Sequence, residues 1–454
     1  MNAKRTLRWV IVLFLLAALP GLTAVMAQGQ APTGPEPADL YDILWASTET
    51  EPNNSIAAAD EFRTVQGGMF DGPGDVDFYE IYALNWEYGA VADTNSPILI
   101  EIMSGWGWHC HCVIKLWAPD GTLLDTATYL GNDNRDPLLY YNLESGSPAN
   151  PVYYLSIEPG AGGYGQEYLV LISNPLLISA AAANLGKASV SGISFQAGDV
   201  LAWSEFEVDG TTYEKWNMLL DLSDLGVKGN LTNLAGGWRN SDFLLLGFAA
   251  NITLPGVAEV VKPADVVLFD PSQVGPNTTG TFQLWWRGSD HQLTTTAEKL
   301  DAIDWPNWGG AFRLYASTTG TAAVTKSGGG VLKLADEDIG LWGPQNIWER
   351  YFDHSVVAGM GAEDVIALTI ADEYWTYDMT WQVKYHFYNV VVLGSTQCGP
   401  IVATQKDIVR TEEYWDYYWE EETHGVVGCR LQWHGPDHGW NYNIDAIEFY
   451  SSMP

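Results

Sequence analysis

Basic residues are scarce in this chain: 21 Lys and Arg stand against 56 Asp and Glu, a formal net charge of −35. So few cations cannot neutralise a phosphate backbone or coat an anionic bilayer, so nucleic acid and membrane surfaces are excluded as partners. Cysteine is nearly absent too. Four thiols in 454 residues are too few for a disulfide scaffold. The familiar enzyme signatures are missing: no His-Glu-x-x-His, no Gly-x-Ser-x-Gly, no P-loop, and no Gly-x-Gly-x-x-Gly after a strand. Paired carboxylates are so common here that they say nothing about glycosidase chemistry. The one strongly apolar run, Trp9 to Leu19, is interrupted by Pro20 and Gly21 and falls short of the ~20 residues that cross a bilayer.

That run is preceded by Lys4, Arg5 and Arg8 and followed by Val25-Met26-Ala27, the layout of a secretory signal peptide over residues 1–27. Its removal takes away three basic residues and leaves 18 − 56 = −38 charges. The expectation is an exported protein, extracellular or at the cell surface, with no membrane insertion. Aromatics are abundant (Trp 21, Tyr 23, Phe 14), as is glycine (46), and the apolar runs are short. Strands joined by turns, an all-β protein, follow from that. The remaining length exceeds what one core serves, so two domains are expected after a linker at residues 28–44.

The first domain is marked by Glu49-Thr-Glu51-Pro-Asn53-Asn54-Ser55, an Ala-rich bridge (Ala57 to Ala59), then Gly74-Asp75-Val-Asp77-Phe-Tyr79. Oxygen-bearing side chains at this density suit a hard cation such as calcium, which takes six to eight oxygens; an acidic linker entering a strand has the same composition. With Val113-Ile-Lys-Leu-Trp-Ala-Pro-Asp-Gly121 and Tyr153-Tyr-Leu-Ser-Ile157 following in order, residues 45–175 resemble the bacterial pre-peptidase C-terminal domain. The resemblance implies a jelly-roll-like β-sandwich of the kind attached to secreted enzymes. It implies calcium bound through the entering segment, with Glu49, Glu51, Asn53, Asn54 and Asp75 as ligands and Asp77 either a ligand or the cap of a turn. Asn54 stands where relatives often carry Asp, and one charge fewer lowers the expected affinity to the millimolar range. The resemblance brings no peptidase activity with it.

Residues 176–188 read as a connector, and residues 189–454 repeat. Asp199-Val-Leu, Asp265-Val-Val, Asp338-Ile-Gly and Asp407-Ile-Val open four units. Ser223, Ser289 and Ser355 recur within them. A third element reads Leu231-Thr-Asn-Leu234, Leu300-Asp-Ala-Ile303, Val365-Ile-Ala-Leu368 and Ile444-Asp-Ala-Ile447. Four short strands per unit is the pattern of a propeller blade. The last unit stops after its third element, so a four-bladed ring closed by a borrowed strand is expected, with Val190 to Phe195 as the donor; an open stack or two packed sandwiches is the alternative. The units look similar to repeats in multidomain secreted proteins of environmental bacteria, which carry no established activity. The recurring Asp residues read first as acceptors of backbone N–H bonds in turns.

Candidate chemistry lies where the repeat breaks down. Trp305, Trp308, Trp375, Trp415, Tyr417 and Trp419 sit among carboxylates, a combination that suits sugar rings or apolar partners, although packing between blades also uses aromatics. His434, Asp437 and His438 form the densest cluster able to hold a metal or transfer a proton, and Gly435-Pro436 between them equally marks a turn. Trp108-His109-Cys110-His111-Cys112 alternates its histidines and thiols on opposite faces of a strand, so the four do not converge on one ion. Cys398 and Cys429, on neighbouring candidate strands, are expected to pair in an oxidising compartment. The reading is a secreted, calcium-supported, non-catalytic protein that binds extracellular polysaccharide or protein surfaces. A secreted hydrolase using the repeat domain, or a structural matrix component, stands as the alternative.

Overall fold

A computed structural model describes residues 50–62, 65–82, 97–103, 110–128, 137–143, 152–160, 167–180, 188–208, 211–227, 231–236, 241–305, 313–336, 338–353, 365, 367–378, 383–393, 397–398, 401–402, 407–417, 423–424, 429–440, 442 and 444–448. From residue 369 to 433 the description is of the backbone alone. The protein is all-β, and among the described residues there is no α-helix.

The first nine strands are β1 (Asp60–Glu61), β2 (Val65–Met69), β3 (Asp77–Tyr82), β4 (Pro97–Met103), β5 (Cys112–Trp117), β6 (Leu123–Thr128), β7 (Leu138–Asn142), β8 (Val152–Pro159) and β9 (Glu167–Ser173). They form two sheets, β1-β3-β8-β5-β6 and β2-β9-β4-β7. Alternation in β5 turns Cys112, Ile114 and Leu116 inward, where they meet Ile98, Ile100, Ile102, Val170 and Ile172 of the facing sheet in one core. Cys110 and Cys112 are bonded to each other within that core.

Strand β4 reads Pro-Ile-Leu-Ile-Glu-Ile-Met, nearly continuously apolar, because its sheet is buried on both faces. Its back face belongs to the second half of the protein: Leu99 and Tyr140 pack with Leu177 and Val200, and Val65, Leu169 and Leu171 pack with Phe206 and Tyr213. The polar residue on that face, Glu101, is 2 % exposed and is held by Lys215 and by Asn217 Nδ2 at 2.9 Å. Buried carboxylates persist where partners of this kind satisfy them.

Only Asn174 and Pro175 separate β9 from β10 (Leu176–Ala180), a fully buried strand where a linker was expected. After the small hairpin β11 (Ala188–Val190) and β12 (Ile193–Phe195) come β13 (Val200–Val208) and β14 (Thr211–Leu220). The second sheet is β15 (Leu231–Gly236), β16 (Leu244–Phe248), β17 (Val266–Gln273) and β18 (Thr279–Trp286), in that order. The third begins with β19 (Leu300–Asp304) and β20 (Leu314–Thr318). A side hairpin of β21 (Ala322–Thr325) and β22 (Val331–Leu334) intervenes before the third sheet ends with β23 (Asp338–Gly343) and β24 (Ile347–Asp353). The fourth has β25 (Ala367–Asp378) and β26 (Val383–Leu393), then, past the pair β27 (Gln397–Cys398) and β28 (Ile401–Val402), β29 (Asp407–Tyr417), β30 (Thr423–His424) and β31 (Cys429–His434). The last strand, β32 (Ile444–Glu448), returns to the first of these sheets, whose order is β14-β13-β10-β32.

The third repeat element is therefore the innermost strand of each sheet. These strands neighbour one another cyclically: β15 lies against β19, β19 against β25, β25 against β32, and β32 against β15. A strand is indeed shared between the ends of this region, but β10 provides the pairing rather than Val190 to Phe195. Three-residue strands cannot span a sheet, and they fold onto each other instead. Ile178 pairs with Ile447 in register. Ile447 is 1 % exposed, so Ile447→Ala is expected to lower unfolding free energy by about 2–5 kcal/mol in urea denaturation. A loss below about 0.5 kcal/mol, the size of a surface substitution, would show that this closing strand is dispensable.

Candidate functional site

Three regions hold the side chains with chemistry. The first is the edge of the sandwich where residues 50–55 meet the start of β3. The Asn53 carbonyl accepts N–H bonds from Ser55 (2.8 Å) and Phe78 (3.1 Å), and the Asn54 side-chain oxygen accepts from Val76 N–H at 2.7 Å. Thr50 N–H donates to Asp60 at 2.7 Å. These ties bring Glu51, Asp75 and Asp77 together, with carboxylate oxygens within 4.8 Å of one another. Glu51 is exposed, whereas Asp75 and Asp77 are buried. Asp75 also accepts Asp71 N–H at 2.6 Å, and Asp77 accepts the Tyr168 hydroxyl, which in turn meets the Tyr79 hydroxyl at 2.7 Å.

Asn53 is fully buried, and its Oδ1 has no hydrogen-bond partner. That amide oxygen lies two residues from Glu51 in the chain, and the three clustered carboxylates offer hard oxygens of the type a divalent cation takes. The Asn54 oxygen is committed to the turn before β3 through Val76 N–H. Glu49 lies outside the described residues.

The second region is the turn at His434, Asp437 and His438. It is a four-residue 3-10 turn, Gly435–His438, closed by Gly439 in the left-handed region (φ 78°). It has a twin, Gly288–His291, closed by Gln292 (φ 76°). Each follows the outer strand of one sheet and docks on the next. His291 stacks on Trp286 at 4.7 Å, approaches Trp342 at 4.5 Å, and receives Trp348 Nε1–H on its carbonyl at 3.1 Å. His438 approaches Trp203 at 4.8 Å, has Nδ1 3.0 Å from Glu214 Oε1, and receives Trp216 Nε1–H on its carbonyl at 3.1 Å. Burial pulls the His291 imidazole below its ordinary range, partly offset by Asn346. His434 pairs instead with Asp437, Nδ1 to Oδ2 at 3.1 Å. The three candidate catalytic residues thus split between two jobs, and the repetition of Gly-x-Asp-His was the sequence signal that marks the turn as structural.

The recurring aspartates complete the same turns. Asp199 accepts N–H bonds from Gln196 (2.7 Å) and Leu222 (3.2 Å), and Asp265 accepts from Lys262 (2.8 Å) and Gly288 (3.0 Å). Asp338 accepts from Ala335 at 2.8 Å. Gly288 leaves no room for a side chain, since a Cβ there would sit 2.3 Å from the Ala264 carbonyl.

The third region is aromatic. Trp305 is 7 % exposed and packs on Trp285 at 4.1 Å. Trp308 and Trp419 lie outside the described residues. Trp375, on β25, and Trp415 and Tyr417, on β29, are placed by backbone register. Glu373, Tyr388 and Tyr414 form one cross-strand row, followed by Tyr374, Phe387 and Trp415, then Trp375, His386 and Asp416, then Thr376, Tyr385 and Tyr417. Eight of these twelve positions are aromatic, and alternate rows share a face. Cys398 and Cys429 lie on β27 and β31, which are neighbours.

Compared with known proteins, the chain matches no family model and no curated sequence.

Because Asp265 serves the buried Gly288 N–H as well as the part-buried Lys262 N–H, Asp265→Ala is expected to cost about 2 kcal/mol or more in chemical denaturation. His434→Ala, at the exposed end of its turn, is expected to stay within about 0.5 kcal/mol of the parent. Equal costs would contradict this division between a turn-holding carboxylate and a peripheral imidazole.

Proposed function

We propose that this is a secreted, non-catalytic binding protein: a calcium-supported sandwich of the pre-peptidase C-terminal type joined to a four-bladed propeller that recognises extracellular polysaccharide or protein surfaces. The observation that carries this reading is the aromatic register of the fourth sheet. Its innermost strand has 12 residues where β19 has 5, a difference of 12 − 5 = 7. At about 3.3 Å per residue the extension is ~23 Å long. Residues 371–378 continue past the position at which the other three innermost strands end. Aromatic rows on both faces suit a partner with flat apolar patches and many hydroxyls, as a sugar chain has.

Glu51, Asp75, Asp77 and Asn53 Oδ1 would hold the calcium ion, which supplies positive charge to offset three carboxylates at the sandwich edge. The chain's own part is to fix the segment entering the sandwich through Asn53, Asn54 and Thr50. The hydrolase reading has less support, because His438 is engaged by Glu214 and Trp203 and is not opposed to His434.

The test is affinity of the whole protein for a panel of insoluble polysaccharides and matrix proteins, with calcium and with EGTA. Binding to a panel member is expected to weaken by about tenfold or more in Trp415→Ala and in Trp375→Ala. Calcium at ten times its dissociation constant is expected to raise the melting temperature by roughly 2 °C, and Asp75→Asn to abolish most of that rise. Undiminished binding by both tryptophan variants would remove the recognition surface, and an equal calcium shift in Asp75→Asn would remove the ion site.

A further inference from the structure

The back face of the sandwich sheet seals most of the contact between the two halves with apolar side chains, but one part of the junction is polar. A cleft of about 100 Å³ opens there, lined by Asp125 and Thr126 of β6, Leu138 and Tyr140 of β7, Asp242, and the β17–β18 turn. Asp125 belongs to the sandwich. Asp242 lies just before β16 of the second sheet. Beside them the two halves are joined by one backbone bridge, Asn142 N–H donating to the Ser241 carbonyl at 2.7 Å.

We propose that this cleft is a proton-operated clamp: protonation of the Asp125–Asp242 pair keeps the sandwich closed on the second sheet, and ionisation of both carboxylates drives the two apart at the Asn142–Ser241 bridge.

Among the described residues, no cation acts on Asp242. The groups acting on it are Asp125 from β6 and Asp270 from β17, and the nearby Tyr140 and Tyr141 of β7 are phenols whose own ionisation it opposes. Glu448 of β32, also acidic, acts on Tyr140. Asp125 accepts Thr126 N–H at 2.6 Å. Burial pushes Asp242 up to about 7, and the Asp125 charge adds to the rise. Burial raises Asp125 as well. An acid with a higher value in the closed form than in the open one favours closure at low pH. That preference is full below the open-form value of 3.8 and is lost progressively as pH rises to about 7.

The readout must be local, because buried Asp199 is also raised to about 7 and gives global stability a pH dependence of its own. Amide exchange at Asn142 reports the bridge directly. In the whole protein, its protection, corrected for intrinsic exchange, is expected to fall by about tenfold or more between about pH 5 and pH 8. The fall is expected to vanish in Asp242→Asn, and in Asp125→Asn should the first variant not fold. Asp120→Asn, an exposed acid of the same sandwich, is expected to keep the wild-type fall. A flat wild-type profile, an unchanged fall in Asp242→Asn, or a fall equally lost in Asp120→Asn would each overturn the clamp, the last by assigning the effect to overall charge.

Discussion

The pairing of β32 with β10 is the constraint on which the rest depends. It puts the last described strand of the chain and the first strand after the sandwich side by side in one sheet. Without it, β10 and β15 would each lose a neighbour, and an open edge would be left in an interior made of Ile, Leu and Ala. Closure also fixes the sandwich. Only Asn174 and Pro175 precede β10, so β9 is held where β10 is held, and the back face of its sheet must cover the first sheet of the ring. The two halves share one buried surface, and the weak point in it is electrostatic.

The turns between sheets solve a second problem by repetition. Every passage from an outer strand to the next innermost strand must reverse the chain and satisfy its N–H groups. Asp199 and Asp265 do this with the same pair of bonds, one three residues back and one 23 residues ahead. Where a histidine follows, as His291 and His438, it fills the gap between sheets against Trp342 or Trp203. A carboxylate and an imidazole in such a turn resemble a catalytic pair on paper, yet the imidazoles pack on indoles, and their ring nitrogens meet Asn346 or Glu214 rather than the aspartate of the turn.

Much of the fold was legible because it repeats. The four copies of the third element predicted strands grouped in sheets, and the expected donor of a shared strand was Val190 to Phe195. The donor was misread because Leu176–Ala180 lies outside any repeat and reads as an apolar-to-small connector, and its burial on both sides is a tertiary fact. The gathering of Glu51, Asp75 and Asp77 was legible, since the spacing of oxygen-bearing residues survives in sequence. Asn54 was not, because an amide that caps a turn and one that holds an ion have the same composition. The Asp125–Asp242 pair left no trace in the sequence: the two residues are far apart in the chain and become neighbours only when β6 meets the second sheet.

Closure also explains why the aromatic excess sits where it does. Three innermost strands stop within six residues, since each must fit beside two others around the ring, and their residues are correspondingly small or branched. In β25 the shared register ends at about residue 370, and the strand then continues with β26, β29 and β30; among the described residues no other innermost strand runs beside it there. Residues there are released from the packing rule that selects Leu, Ile and Ala, so Tyr, Trp and Phe can accumulate on both faces. A sheet with aromatic rows on both faces and no matching strand beside it gains most when something covers it. The extension breaks the length limit that the other three innermost strands keep, which is why the proposed recognition surface is placed there.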